Sequence, residues 1–332
     1  MRFAAMLPVA LAAASLASFA QAAPASAVID RFAGPDGGWD YISVDGAAQR
    51  LFVGRTQGVM TVDLASRKVT PVFVPAEDVA AVLIISGTPL MLSTNGGSNT
   101  ATLFNRNTGK VKGTIKTGEE PDGALYDKAS GLAFVMNGAS NDVTFIDVAK
   151  VQAVATVPVG GKPEAAALDG KGRLYVNVED TAEIAVIDIA SRKVATRYKL
   201  AGCEEPTGLA FDAQTGLLIS ACHNNTAKLI EAKNGVDHGN QKICSGADGS
   251  IFDERRRQAY IPCFDGNVSV FALDKDGKAG AVRNVVTEGG ARTAALDPKT
   301  GLLYLPRADY KKDAKGKLQR VPGTFSVLVV KP

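Results

Sequence analysis

Apolar and polar residues alternate along this chain in runs of four to six, interrupted by turn residues. That period is the one of half-buried strands, and no stretch sustains the helical period over a useful length. The runs recur in a larger pattern of strand, Asp turn, strand. Its copies are "ISVDGAAQRLFVG" from Ile42, "ALYDKASGLAFVMN" from Ala124, "AALDGKGRLYVNV" from Ala167, "LAFDAQTGLLISA" from Leu209, "SIFDERRRQAYIPC" from Ser250 and "AALDPKTGLLYLP" from Ala294. The turn aspartates are Asp45, Asp127, Asp169, Asp212, Asp253 and Asp297, and the last five stand 41 to 44 residues apart. Asp45 and Asp127 are 82 apart, and "LIISGTPLMLS" from Leu83 fills the gap with Ser86-Gly87 as its turn. There are thus seven copies.

Each copy continues through a polar loop to a third strand, such as "DVTFID" or "EIAVID", and then to a fourth. "DLASRKV" at Asp63 and "DIASRKV" at Asp188 lie 125 residues apart, three repeat lengths. Four short strands per unit describe a propeller blade. The expected fold is an all-β, seven-bladed β-propeller with four antiparallel strands per blade. The blades fall near 37–73, 74–115, 116–157, 158–200, 201–243, 244–285 and 286–332. The last copy lacks a fourth strand, and "SAVIDRFAG", residues 26–34, has the pattern of one. The N-terminal strand should therefore complete blade seven and close the ring, hiding the sheet edges.

Residues 1–22 read as a signal peptide: Arg2, an apolar run, then Ala20-Gln21-Ala22 as a small-x-small cleavage site. Residues 23–332 then form one exported domain, periplasmic or secreted, and no later segment is apolar and long enough to span a bilayer. Lys and Arg number 37 against 34 Asp and Glu. This near-neutral balance argues against nucleic acid as the partner. A monomer is expected.

Two segments add a resemblance. "LYVNVEDTAEIAVIDIASRKV" and "FVMNGASNDVTFIDVAKVQAV" resemble the YVTN-type propeller repeat, with Tyr175-Val176-Asn177 as the nearest local match. The likeness runs through all seven blades and is strongest in blades three, four and one. It implies the propeller fold and an exported location, and no single activity.

In such a fold the loops leading into the first strands share one face with the loops joining second to third strands. That face surrounds the channel mouth, where a ligand site is expected. Candidate ligand-binding residues there are Trp39, Asp40, Arg55, Glu120, Asp122, Glu164, Asn177, Glu205, His223, Arg292 and Arg307. The acidic ones come from blades one and three to five, the arginines from blades seven and one. Blade seven also carries a basic excursion from Lys311 to Arg320 that includes Lys312, Lys315 and Lys317. With Tyr310 beside it, single-stranded nucleic acid is a minor alternative for this loop.

The four cysteines fall as Cys203 and Cys222, then Cys244 and Cys263, each pair 19 residues apart and the pairs offset by 41, one blade. An even count in an exported chain favours disulfides. The repeat favours pairing within blades, with a Cys₄ zinc site as an alternative. Haem-attachment, nucleophile-elbow, zinc-protease and phosphate-loop motifs are all missing from the sequence. The leading expectation is a non-catalytic propeller that binds a small ligand or protein partner at the top face, without a cofactor. The alternatives are a metal-assisted, lactonase-like hydrolase with a divalent cation at the mouth, and an accessory platform subunit of a periplasmic redox system.

Overall fold

The computed structural model describes residues 25–332, and the expected signal peptide lies outside the described residues. Seven four-stranded antiparallel sheets form the blades of a propeller. Blade one is Trp39–Asp45, Arg50–Arg55, Gly58–Asp63 and Val69–Pro75. Blade seven draws Ala295–Leu296, Leu303–Arg307 and Ser326–Val330 from the C-terminal end. Its outer strand is Val28–Ala33, which pairs antiparallel with Ser326–Val330. The ring is thus closed by the two ends of the chain, as the repeat pattern predicts. Among the described residues, no helix is long and apolar enough to cross a membrane.

The turn aspartates explain why the repeat is visible. Each accepts hydrogen bonds from backbone N–H groups two or three residues on, for example Ala48 N to Asp45 Oδ1 at 3.1 Å and Gln214 N to Asp212 Oδ1 at 3.1 Å. A short carboxylate in this position builds the turn between first and second strands. Some also hold the next blade. Arg106 Nε lies 3.0 Å from Asp45 Oδ2, and both guanidinium nitrogens of Arg257 close on Asp212.

Between blades the alternate strand residues pack as apolar layers. Phe134, Met136 and Phe145 of blade three meet Leu174, Val176 and Ile187 of blade four in one such layer. Near the axis the blades converge until backbone touches backbone. A Cβ on Gly54 would lie 2.1 Å from Ala80 O, and one on Gly208 would lie 2.4 Å from Gly249 C, so only glycine fits.

Candidate functional site: a ring of bulged residues at the channel mouth

The first strand of blades one to five begins with a bulge. Pairing with the second strand slips between Trp39 and Ile42, Val79 and Val82, Pro121 and Ala124, Pro163 and Ala166, and Pro206 and Gly208. A bulge re-aims the side chain of the extra residue. The residues at the slip are Asp40, Ala80, Asp122, Glu164 and Thr207. Blades six and seven place Asp248 and Arg292 five residues before their turn aspartates, the offset that Asp40, Asp122, Glu164 and Thr207 also have. Six of these seven residues, all but Ala80, line one cavity of about 520 Å³ at the mouth. Lys162, Glu179, Glu205, His223, Phe264 and Leu318 complete its wall.

One residue further down the strands the ring becomes small. Tyr41, Ala81, Gly123, Ala165, Gly208, Gly249 and Thr293 line a narrower space of about 200 Å³. The mouth is therefore charged, and in the ring of residues just beneath it Tyr41 is the one large side chain, with apolar residues such as Leu125 and Met136 also lining the space. Burial, reinforced by Asp122 and Glu164, pushes the Tyr41 phenol well above its ordinary range.

Six carboxylates at this mouth face two permanent cations. Arg292 Nε lies 2.9 Å from Asp248 Oδ2, and Lys162 Nζ lies 3.6 Å from Glu164 Oε2 while also bonding Glu179. Two cations do not neutralise the group. Burial, then the Asp248 charge, pushes the Asp40 carboxyl up to about 7, against the pull of Arg292. Burial and the Asp122 charge push Glu164 up to about 8. Asp122 rises well above the carboxylate range, first by burial and then through Asp40 and Asp248. Asp248 is raised by burial, with Arg292 opposing. Burial works against the Lys162 charge, but its bond to Glu179 and the charges of Glu164 and Asp122 hold its pKa above the ordinary range. Two carboxylate oxygens of the cluster, Asp122 Oδ1 and Glu164 Oε2, are closed to solvent and accept no hydrogen bond.

The other residues named from the sequence stand elsewhere. Glu205 and His223 meet at the rim, with Oε2 and Nδ1 3.5 Å apart and both side chains exposed. Glu120 is exposed on a side recess shared with Trp39. Trp39 packs against Phe325 and Tyr310, with ring centroids 5.1 and 6.4 Å away. Arg55 is buried, donating to Gly38 O and Pro35 O at 2.7 and 2.6 Å and stacking 3.6 Å from the Phe325 ring. Desolvation lowers its pKa to about 10. Arg307 is buried as well and donates to Gly289 O at 2.7 Å and to Asp309 at 2.6 Å. Asn177 is wholly buried, donating to Gly208 O and accepting from Ser220 Oγ, so it ties blade four to blade five. These last three side chains are engaged with the protein itself.

Asp248, Lys162 and Tyr41 are mouth or channel residues that the sequence reading did not select. A signal for Asp248 was present: "GADGS" lines up with "EPDGA", placing Asp248-Gly249 on Asp122-Gly123. Counting back five residues from each turn aspartate finds the ring.

The cysteines pair within blades. Cys203 bonds Cys222 and Cys244 bonds Cys263, with Cα atoms 5.4 and 5.8 Å apart. Every sulfur is engaged, which removes the zinc alternative for them. Each bridge ties the segment leading into a first strand to the end of the second, directly below the mouth loops that carry His223 and Phe264.

No family model and no curated protein matches this chain. Solved structures do resemble it. A chain from the crystal structure of the mitotic checkpoint complex superposes with a TM-score of 0.74 at 12% identity, over 96% of this chain and 99% of that one. A chain of the Kuenenia stuttgartiensis hydrazine synthase does so with a TM-score of 0.69 at 16% identity, over 87% and 97%. At such identities the likeness is one of fold.

Proposed function

We propose that this chain is an exported binding propeller whose channel mouth takes a small, positively charged ligand, either a divalent metal ion or an organic ammonium group. The observation that carries the reading is Asp122 Oδ1, closed to solvent and without a hydrogen bond, beside Glu164 Oε2, which meets only the Lys162 ammonium at 3.6 Å. Buried carboxylate oxygens without donors are costly, and a cation that reaches them offsets the cost. The raised carboxyl pKa values support the same ligand chemistry. Protons neutralise the cluster near neutral pH, and a bound cation would displace them.

Export is supported by the character of residues 1–22 and by two disulfides, which persist in oxidising compartments. We also read the blades as YVTN-type repeats. In blades two and three the asparagine that ends the second strand bonds third-strand side chains, as Asn95 does with Thr100 and Thr102. A propeller fold is compatible with a binding platform, and one chain of similar fold belongs to a protein complex.

Calorimetric titration with calcium chloride and with putrescine, each at pH 8.5 and pH 6, tests the seat and separates the two sources of charge. Binding that weakens at pH 6, releases protons and is lost in Asp122→Asn is expected. Failure of both ligands at pH 8.5, or binding unchanged in Asp122→Asn with Glu164→Gln, would overturn the reading. A lactone-hydrolysis assay of the calcium-loaded protein tells a metal-assisted hydrolase from a binding module.

A further inference from the structure

The loop between the second and third strands spans two to four residues in blades one to six, but residues 308–325 in blade seven. Within this insertion Tyr310–Lys312 and Leu318–Arg320 pair with each other as a hairpin that joins no blade. Its root is firmly held. Tyr310 sits edge-on between Trp39 and Phe264, with ring centroids 6.4 and 4.9 Å away. The Arg320 guanidinium lies 5.4 Å from the Trp39 ring, and Val321 N donates to Asp309 O at 2.8 Å. The hairpin is thus a fixed projection over the mouth.

Its tip is basic. Lys311, Lys312, Lys315 and Lys317 are exposed, and none of them forms an ion pair among the described residues. Asp313, between them, is exposed but engaged by the turn: its carboxylate accepts from the backbone N–H of Lys315 and Lys317, both at 2.9 Å, which holds its pKa below the usual range. Tyr310 faces Arg320 and Lys312 faces Leu318 across the ladder, so these four share one face of the hairpin, and Leu318 lines the mouth cavity. Leu318 is 47% exposed there, a lone apolar side chain among cations.

We propose that this hairpin docks a short acidic segment of a protein partner, with the lysines pairing its carboxylates and Leu318 contacting an apolar side chain in it. Charge complementarity sets the sign of the partner. Three features favour a polypeptide over the other polyanions. The aromatic rings of Trp39 and Tyr310 face each other and their neighbours, so they offer no open platform on which bases could stack. The acidic mouth beside the hairpin repels an extended phosphate backbone crossing the face. It repels a flat anionic bilayer in the same way, and one leucine is too small an apolar anchor to offset that. A short segment can turn its apolar residue toward Leu318, which lines the mouth, and keep its carboxylates over the lysines, away from that acidic wall.

The test uses the mature chain and three probes: a fluorescein-labelled Glu-Glu-Leu-Glu-Glu-Leu peptide, a short oligo-dT strand, and phosphatidylserine vesicles. The peptide should bind, more weakly as salt rises. Lys311→Glu/Lys312→Glu/Lys315→Glu should weaken it about tenfold, and Leu318→Ser should weaken it at unchanged charge. Lys110→Glu/Lys112→Glu/Lys116→Glu, on the outer strand of blade two (Val111–Lys116) and the residue before it, should leave it unchanged. Amide shifts on peptide binding should cluster within residues 310–320. Equal loss in both triple variants, no effect of Leu318→Ser, or tighter binding of oligo-dT or vesicles than of the peptide would each overturn the proposal.

Discussion

Arg292 Nε lies 2.9 Å from Asp248 Oδ2, and this ion pair joins the strand-entering loops of blades six and seven across the channel mouth. It is the point at which the acidic ring is relieved. Arg292 pulls down the pKa of both Asp248 and Asp40. Replacing Arg292 by Gln should therefore raise both carboxyl pKa values together. Carbon-13 carboxyl NMR titration reads this directly, and titration curves that do not move would show that Arg292 acts only on the rim.

The same cluster should make stability depend on pH in an unusual direction. The folded-state pKa values of Asp40 and Glu164, about 7 and about 8, lie above those of an unfolded chain. The folded protein then binds more protons than the unfolded one, so stability falls as pH rises from about 4 through about 8. Melting temperature should decline across that window in the wild type, and less steeply in Asp40→Asn. Thermal melts between pH 5 and 9 check the sign; a flat or rising profile would contradict it.

Removing one disulfide should cost about 3 kcal/mol, because each closes a loop of modest length. Cys203→Ser/Cys222→Ser and Cys244→Ser/Cys263→Ser should both lower the denaturant midpoint while remaining folded. Thiol titration of the native wild type should find no reactive group, since all four sulfurs are bonded.

Arg257 bonds Asp212, whose side chain is 0% exposed, from the next blade. Arg257→Ala leaves a buried carboxylate without its counter-charge and should cost about 3 kcal/mol. Arg257→Ala/Asp212→Asn should recover part of the loss. Chemical denaturation of Arg257→Ala, Asp212→Asn and the double variant forms the cycle, and additive losses would mean that the pair is not coupled.

Close approach at the axis is testable too. Gly208→Ala puts a methyl group 2.4 Å from the Gly249 backbone, which must shift. The expected destabilisation is about 2 kcal/mol, measured by denaturation.

Much of the architecture was readable because the turn aspartates recur at a near-constant interval. Asp45, Asp127, Asp212, Asp253 and Asp297 are buried and bond the turn, and only blade two, with Ser86-Gly87, turns without one. The cysteine pairing was readable for the same reason, since hydrogen-bonded neighbours in one blade carry both members. Site residues were harder. Arg55, Arg307 and Asn177 sit on the correct loops and strand ends, yet their polar atoms turn into the protein. Residue type and loop position do not say which way a side chain points. Asp248 was hidden for the opposite reason: its loop contains a single carboxylate, while "GEEPDG" and "GCEEPTG" draw the eye with several.

The sequence by itself determined the blade count and the closure by residues 26–34, and it favoured the within-blade cysteine pairing and the face on which charge gathers. These depend on periodicity and strand adjacency, which a linear pattern carries. Only the tertiary structure decided which charges meet. In blades one to five the bulge at the head of the first strand turns one residue toward the axis, and the ring brings Asp40, Asp122, Glu164, Asp248 and Arg292 from five separate stretches of chain to one cavity. Burial there shifts their protonation, and burial is a property of the closed ring.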